Sequence, residues 1–498
     1  MRHVVASPCV CRVYCGLSEL GLSVVWRCSA TGGAIDLITF THQIAMSLHR
    51  VGLAGAAVDL KEFHKLGKKW TRSATEKRDR LTKYALKHQM KEFSPTNDNQ
   101  IRELLYERLG YPIFATSRKS GKPKVDKATL KRILNEHEES PFIKDLLEFN
   151  SVDKLSSTWY GKADDAKRKK SVGALIQPIP HSTLLGLLHF WIFPLRARTG
   201  RRASGGGEEG DPESRNSQNW PKPARGVIRS RFSNGKIAVC DYSRLEVVLV
   251  GWRAKDDKLL HYFLDGSGYI GVAREFWGQD VKDGTPLYKA TKSMVLGLNY
   301  NMGWWKLAED LWFRAGFKFS NDWNTHVKRT KIARRKYLKL FSGLRHYIRD
   351  RIEEVTATQR IVSPSGRVRH FPHHGPESEG FWHIKNACVN YPIQSFASDI
   401  TGGAIVDYEK EVLAYHGFSY NDWHSSLLTA PWDPICSSIF NEVHDELNLD
   451  LHKKTGKRDL EILIDCMRSC RSVKRLVPEF DLKLKMDVQI VNRWGDAT

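Results

Sequence analysis

Ile237-Ala-Val-Cys240-Asp241-Tyr242-Ser243-Arg244-Leu245-Glu246-Val-Val-Leu-Val250 sets the polar kernel Asp241-Tyr242-Ser243 between two apolar, β-branched runs, Ile237–Cys240 and Leu245–Val250. An apolar run of this kind reads as a buried strand, and this one ends at a carboxylate. A second segment far downstream has the same property. Ile435–Leu451 alternates around Val443-His444-Asp445-Glu446, the pattern of a hairpin with acids near its turn. Two strand-borne carboxylates meeting at one sheet edge can hold a pair of Mg²⁺ ions, which prefer oxygen ligands and keep waters and substrate phosphates. That is a site for in-line phosphoryl or nucleotidyl transfer. Taken separately, each acid would more often be a surface or turn residue.

A helical stripe joins them. Tyr288, Lys292, Leu296 and Tyr300 recur every fourth residue and therefore lie along one slanting face. Aromatics at this spacing usually face a core, but a lysine in the middle of the stripe does not fit that reading. A cation beside a stacking ring suits a nucleoside triphosphate, with charge for the phosphates and a ring for the base.

The chain of 498 residues carries 78 Lys+Arg against 56 Asp+Glu, a formal charge of +22. An excess of this size points to a polyanionic partner, either nucleic acid or an acidic membrane surface. With 41% hydrophobic and 27% charged residues the chain is globular in composition rather than disordered throughout. No apolar run is long enough to span a bilayer; the best candidate, Leu184–Leu195, is too short. Four of nine cysteines, Cys9, Cys11, Cys15 and Cys28, crowd the N-terminus without the paired spacing of a zinc site. The basic composition of residues 1–35 fits a targeting peptide, an unstructured extension or an upstream start equally.

From Thr41 to about Lys169 the pattern is basic and mostly helical, with apolar helical spacing in Gln43–Leu53 and Leu81–Phe93. Asn97 opens a further helix through Leu109. The lysine-rich run Arg118–Lys124 has loop composition and is either a solvated loop or a phosphate contact. Gly205 to about residue 215 is a flexible insert. Residues 288–315 and 323–356 read as two long helices. A turn-rich segment at 363–372 follows, then a helix through about Val406.

Together these residues resemble family A DNA polymerases, the DNA polymerase I type, particularly phage and plasmid-like members lacking an exonuclease domain. Asp241-Tyr-Ser-Arg-Leu-Glu246 resembles the family's palm motif DYSQIE, and Val443-His-Asp-Glu446 is identical to its motif VHDE. Lys292-x-x-x-Leu296-Gly297-x-x-Tyr300 resembles the finger-helix motif RxxxKxxxFGxxYG. Gly366-Arg-Val-Arg-His-Phe-Pro372 and Asn390-Tyr-Pro-Ile-Gln394-Ser-Phe-Ala-Ser-Asp-Ile400 are similar to GRxRxxP and NxPIQGxAADI. Thr199-Gly-Arg201 and Asn216-Ser-Gln218-Asn219 are similar to TGR and NLQN. The motifs keep the family's order from about Thr41 to the C-terminus, which leaves little room for chance.

The resemblance implies an α+β right-hand polymerase fold with a helical thumb, an antiparallel-sheet palm and helical fingers. The expected divisions are an N-terminal extension (1–40), a thumb-like region (41–175), a first palm segment (176–255, with the insert 205–215), fingers (256–385) and a second palm segment (386–498). It implies template-directed addition of deoxynucleotides to a primer 3′ end. Asp241 and Asp445 would ligate two Mg²⁺ ions, Glu446 would support them, and Lys292 would neutralise the triphosphate and protonate pyrophosphate. Glu246 would crowd a 2′-hydroxyl, with Tyr242, Lys289, Leu296 and Tyr300 also at the nucleotide. His444 would approach the primer terminus, while Arg201, Asn390, Gln394, Gln218, Asn219 and Arg367 would contact DNA, several through minor-groove acceptors shared by all correct pairs. The implied partners are primer–template DNA, dNTPs and replication accessory proteins, with no membrane. A monomer in the cytoplasm of a bacterial or phage-infected cell is expected, with organellar targeting left open. Fewer than 45 residues precede the thumb-like region, so no proofreading is expected from this chain.

Several positions depart from the family's pattern. Tyr288 replaces the arginine one turn before Lys292, with Lys289 beside it. Leu296 replaces an aromatic, Asn301 and Ser395 replace glycines, and Ile270 stands near an expected histidine. Two other readings therefore compete: a catalytically weakened polymerase-fold protein that binds DNA or assembles a replisome, and a single-subunit RNA polymerase. Intact Asp241, Lys292 and Asp445 count against the first, and Glu246 and Glu446 against the second.

Overall fold

Ile237–Tyr242 forms the strand its apolar run predicts, with every residue but Asp241 buried. It is an inner strand of a four-stranded antiparallel sheet, flanked by Met486–Val491 on one side and Glu446–Asp450 on the other. Ser438–Val443 completes the sheet by pairing with Glu446–Asp450 as the expected hairpin. The computed structural model describes residues 32–117, 120–136, 140–161, 171–179, 182–205, 216–371, 381–420 and 435–497. The N-terminal cysteines, most of the glycine-rich insert, Arg118, Lys119 and Pro372 lie outside the described residues.

The chain leaves the sheet abruptly. Arg244 takes a left-handed backbone conformation, and Leu245–Arg253 is a helix despite its β-branched content. Packing overrides local preference here: Leu245 and Val247–Val250 are buried in the main core, against the helices Phe381–Tyr415 and Ser342–Thr358. The helix Phe381–Tyr415 runs through Pro392 and is buried on every side from Ser395 to Tyr408, because the helices Gly32–Ala54, Gly456–Ser469 and Arg471–Leu476 also pack on it.

The two long helices predicted over 288–315 and 323–356 are each broken. Pro286–Leu298 stops before Asn301, whose φ of 58° ends the helical path, and Trp304–Glu309 resumes it. Trp323–Leu340 and Ser342–Thr358 are separated at Phe341, which is fully buried and leaves the helical region at φ −111°, ψ 77°. Asn97 caps Asp98–Arg102 as its position predicts, its Oδ1 accepting from the amides of Asn99 and Gln100.

Helices Leu60–Lys87 and Pro141–Lys154 pack on each other around a separate core that includes Leu81, Leu104, Phe142 and Phe149. Asp59 caps the first of them at the Glu62 amide. Residues 41–54, expected with this helical region, instead pack in the main core through Ile44, Leu48 and Val51. The helical region reaches across to the segment after Trp304 through Arg132. Its guanidinium lies 4.2 Å from the Phe114 ring centroid and 4.8 Å from that of Phe313. Among the described residues no helix is long and apolar enough to cross a membrane.

Candidate active site

The sheet register brings the acids together. Asp241 is the cross-strand partner of Glu446 on one side and of Asp487 on the other, and the Tyr242 amide donates to the Asp445 carbonyl at 3.2 Å. Paired residues in an antiparallel ladder share a face, so Asp241, Glu446 and Asp487 project together. Burial and the neighbouring charges of Asp445, Glu446 and Asp487 push the Asp241 carboxyl up to about 7. Burial also raises Asp445, helped by Glu446 and Glu442 and opposed by Arg201. Such crowding of like charge is relieved by a cation.

The donor set is all oxygen, which suits a hard divalent ion. Among the described residues no three His, Cys, Asp or Glu side chains gather tightly enough to hold a metal alone. Asp241 and Asp445 would therefore hold Mg²⁺ with waters and phosphate oxygens, the mixed set that this ion retains. One oxygen of Glu446 is already engaged: Oε1 accepts from Trp494 Nε1 at 3.0 Å and from Asn448 Nδ2 at 2.9 Å.

The hairpin turn carries His444 at φ 63°, as a tight two-residue connection demands. Burial, with Arg201 and Arg202 nearby, pushes its imidazole down to about 4, so the ring is neutral at neutral pH. Arg202 fixes this corner. It grips Glu442 through both carboxylate oxygens at 2.6 Å, with both side chains buried, and its amide donates to Ser398. That clamp ties the Thr199–Arg201 turn to the hairpin and to the helix Phe381–Tyr415. Gly200, at φ 79°, is needed there twice over, because a Cβ would also come within 2.6 Å of the Ser395 Cβ. Ser395 fills the space that the turn glycine leaves.

Beside the acids, four predicted residues meet. Glu246 forms an ion pair with Arg201 through Oε1 and accepts the Tyr300 hydroxyl at Oε2, and Gln394 lies within hydrogen-bonding reach of the same hydroxyl. Arg201, Glu246, His444 and Asp445 line one cleft. Asn390 and Gln394 are one helical turn apart and half-buried. Lys292, Lys289 and Leu296 are exposed on the helix Pro286–Leu298. Asn301 accepts from Arg334 at 3.1 Å and occupies the left-handed region that asparagine tolerates, so it serves where the motif has glycine.

Two of the expected site residues turn inward. The Tyr242 ring points into the core and donates to the Met467 carbonyl at 2.9 Å, so its side chain faces away from any nucleotide. Arg367 is buried in an ion pair with Asp399 at 2.8 Å and its amide is bonded to Ser363, so in this structure it braces the turn-rich hairpin. Gln218 is half-buried, its Oε1 accepting from the Ser204 amide, while Asn219 is exposed. Asp487, Arg202 and Glu442 were not foreseen. Asp487 lies in the alternating run Met486–Val491, which marks a strand, but only the sheet order shows that it adjoins Asp241.

The DNA polymerase family A profile matches residues 64–496. DNA polymerase I of Mycobacterium leprae is 25% identical over 420 residues, covering 82% of this chain and 39% of the relative. The thermostable DNA polymerase I of Thermus aquaticus is 24% identical over 413 residues, covering 81% of this chain and 42% of the relative. The chain thus spans about two-fifths of the length of these relatives. The POL domain of Pol1 from M. smegmatis, solved in complex with DNA primer-template and dNTP, superposes with a TM-score of 0.71 at 19% identity, covering 92% of this chain and 70% of that one. The fold is accordingly the α+β right-hand polymerase fold. The chain belongs to DNA polymerase family A.

Proposed function

We propose that this chain is a template-directed DNA polymerase that extends a primer 3′ end with deoxynucleotides, acting as a monomer on primer–template DNA. The observation that carries the reading is the convergence of Asp241 and Asp445 at one sheet edge, beside the Arg201–Glu246–Tyr300 cluster. Asp241 and Asp445 would hold two Mg²⁺ ions, with Glu446, anchored by Trp494, supporting them. Bound Mg²⁺ supplies a more acidic primer hydroxyl and neutralises the charge on the leaving pyrophosphate. Lys292 meets the triphosphate and delivers a proton to the departing oxygen. Lys289 adds charge nearby, and Leu296 and Tyr300 border the base.

Glu246, held rigid by two partners, stands against a 2′-hydroxyl and selects deoxynucleotides. The neutral His444 approaches the primer terminus, and Arg201, Asn390 and Gln394 face the minor groove, where shared acceptors report pair shape rather than sequence. Outlying lysines and arginines contact phosphates and make binding salt-dependent.

Tyr288 favours a second reading, a polymerase-fold protein weakened in triphosphate binding. Primer extension with Mg²⁺ and dNTPs, run beside rNTPs, separates them. Template-dependent extension by dNTPs supports the first reading. Extension by rNTPs alone would indicate an RNA polymerase, and DNA binding without extension would indicate the weakened protein.

A further inference from the structure

The finger helix lacks a cation one turn before Lys292, since Tyr288 stands there, and Ile270 occupies the neighbourhood of an expected histidine. The fold brings a different cation to the same place. Arg244 lies three residues after Asp241, and its left-handed backbone (φ 58°, ψ 35°) turns its side chain out of the line of the following helix. Its guanidinium carbon sits 5.4 Å from the centroid of the Tyr269 ring and 5.8 Å from that of Phe263.

Lys292 approaches the same Tyr269 ring, with Nζ 5.8 Å from the centroid. Tyr288 meets Tyr269 edge-on at 6.1 Å. Gly268 makes the room: a Cβ there would lie 2.0 Å from Arg244 Nη1. Arg244 and Lys292 are both exposed, and neither is ion-paired with a described residue. Two cations gathered on one ring, with no ion pair to a described residue, repel each other, and a shared polyanion removes that repulsion.

We propose that Arg244 binds the phosphate tail of the incoming nucleoside triphosphate jointly with Lys292, supplying from the palm side the charge that Tyr288 does not. This rests on the polymerase reading above. Arginine is suited to the task because its planar fork donates two hydrogen bonds to a phosphate while its face stays on an aromatic ring. Tyr269 is then the platform that holds both cations at the junction of strand and finger helix.

The test compares wild type, Arg244→Gln, Arg244→Lys and the double variant Arg244→Gln/Tyr288→Arg. Four readouts are needed: KM for dNTP, Kd for primer–template, melting temperature, and the calorimetric Kd for inorganic tripolyphosphate in EDTA. Arg244→Gln should raise KM and the tripolyphosphate Kd at least tenfold while leaving the primer–template Kd within twofold. Arg244→Lys should fall between, and Tyr288→Arg should recover some of the loss in the double variant. Unchanged KM and tripolyphosphate Kd in a folded Arg244→Gln protein would overturn the proposal. So would a loss that tracks a lowered melting temperature and is not recovered by Tyr288→Arg, which would make Arg244 only a prop for Tyr269. If the wild type extends no primer, the polymerase reading fails, yet the tripolyphosphate titration still decides the role of Arg244.

Discussion

Glu246→Ala should relax the choice of sugar, and the structure indicates by how much. Both carboxylate oxygens are engaged, one by the Arg201 guanidinium and one by the Tyr300 hydroxyl, with 22% of the side chain exposed. A ribose 2′-hydroxyl entering this space must displace the carboxylate from at least one of these bonds. A hydrogen bond involving a charged group contributes about 1.5–3 kcal/mol. At about 1.4 kcal/mol per decade, that is roughly 10–100-fold discrimination. The assay is single-nucleotide extension, comparing kcat/KM for dNTP with that for the matching rNTP. The alanine variant should lower the ratio by that factor, whereas Glu246→Gln, which keeps the volume, should retain most of it. Tyr300→Phe, which removes one of the two anchors, should relax it to a smaller extent. A ratio within threefold of wild type in Glu246→Ala, with DNA binding intact, would refute the assignment of Glu246 to the sugar.

Arg202→Met leaves the buried Glu442 carboxylate unpaired and should cost about 3–5 kcal/mol in urea unfolding; the Arg202→Met/Glu442→Leu pair should recover most of that, and no recovery would count against the clamp. Asp59→Ala removes a helix cap and should cost about 1–2 kcal/mol at neutral pH. Burial opposes the charge of Asp59, but the Glu62 amide and Arg493 outweigh it and hold its carboxyl below the ordinary value. Its contribution is therefore present above the unfolded pKa and lost as pH falls through the lower folded one, so the gap between variant and wild type should close on acidification. Asn301→Val places a β-branched residue at φ 58° and should destabilise by about 1–2 kcal/mol, while Asn301→Gly should melt close to wild type.

Much of the site was legible because its acids sit at the ends of apolar runs. Ile237–Cys240 and Leu447–Leu449 announce strands, and a strand ending in Asp or preceded by Asp-Glu states where a carboxylate emerges. The stripe likewise announced a helix, which carries Tyr288, Lys292 and Leu296 but ends at Leu298, leaving Tyr300 in the turn beyond it. What could not be read was set by pairing between distant segments. Asp487 gains meaning only as the neighbour of Asp241 across the sheet, and Arg202 only through Glu442. Tyr242 shows the opposite error: within the motif it reads as a nucleotide contact, but the alternation of a strand sends its ring into the core. The breaks at Asn301 and Phe341 were hidden because neither residue is a strong helix breaker, and tertiary contacts impose both. Leu245–Val250 folds as a helix because the core it fills has helices around it.

The central claim is that Asp241 and Asp445 together hold the metals for nucleotidyl transfer. The most direct measurement is the single-turnover extension rate of Asp241→Asn and Asp445→Asn on saturating, pre-bound primer–template with Mg²⁺ and dNTP, with the primer–template Kd measured alongside. Both variants should bind primer–template as the wild type does and show no extension. Extension near the wild-type rate by either variant would contradict the two-carboxylate assignment.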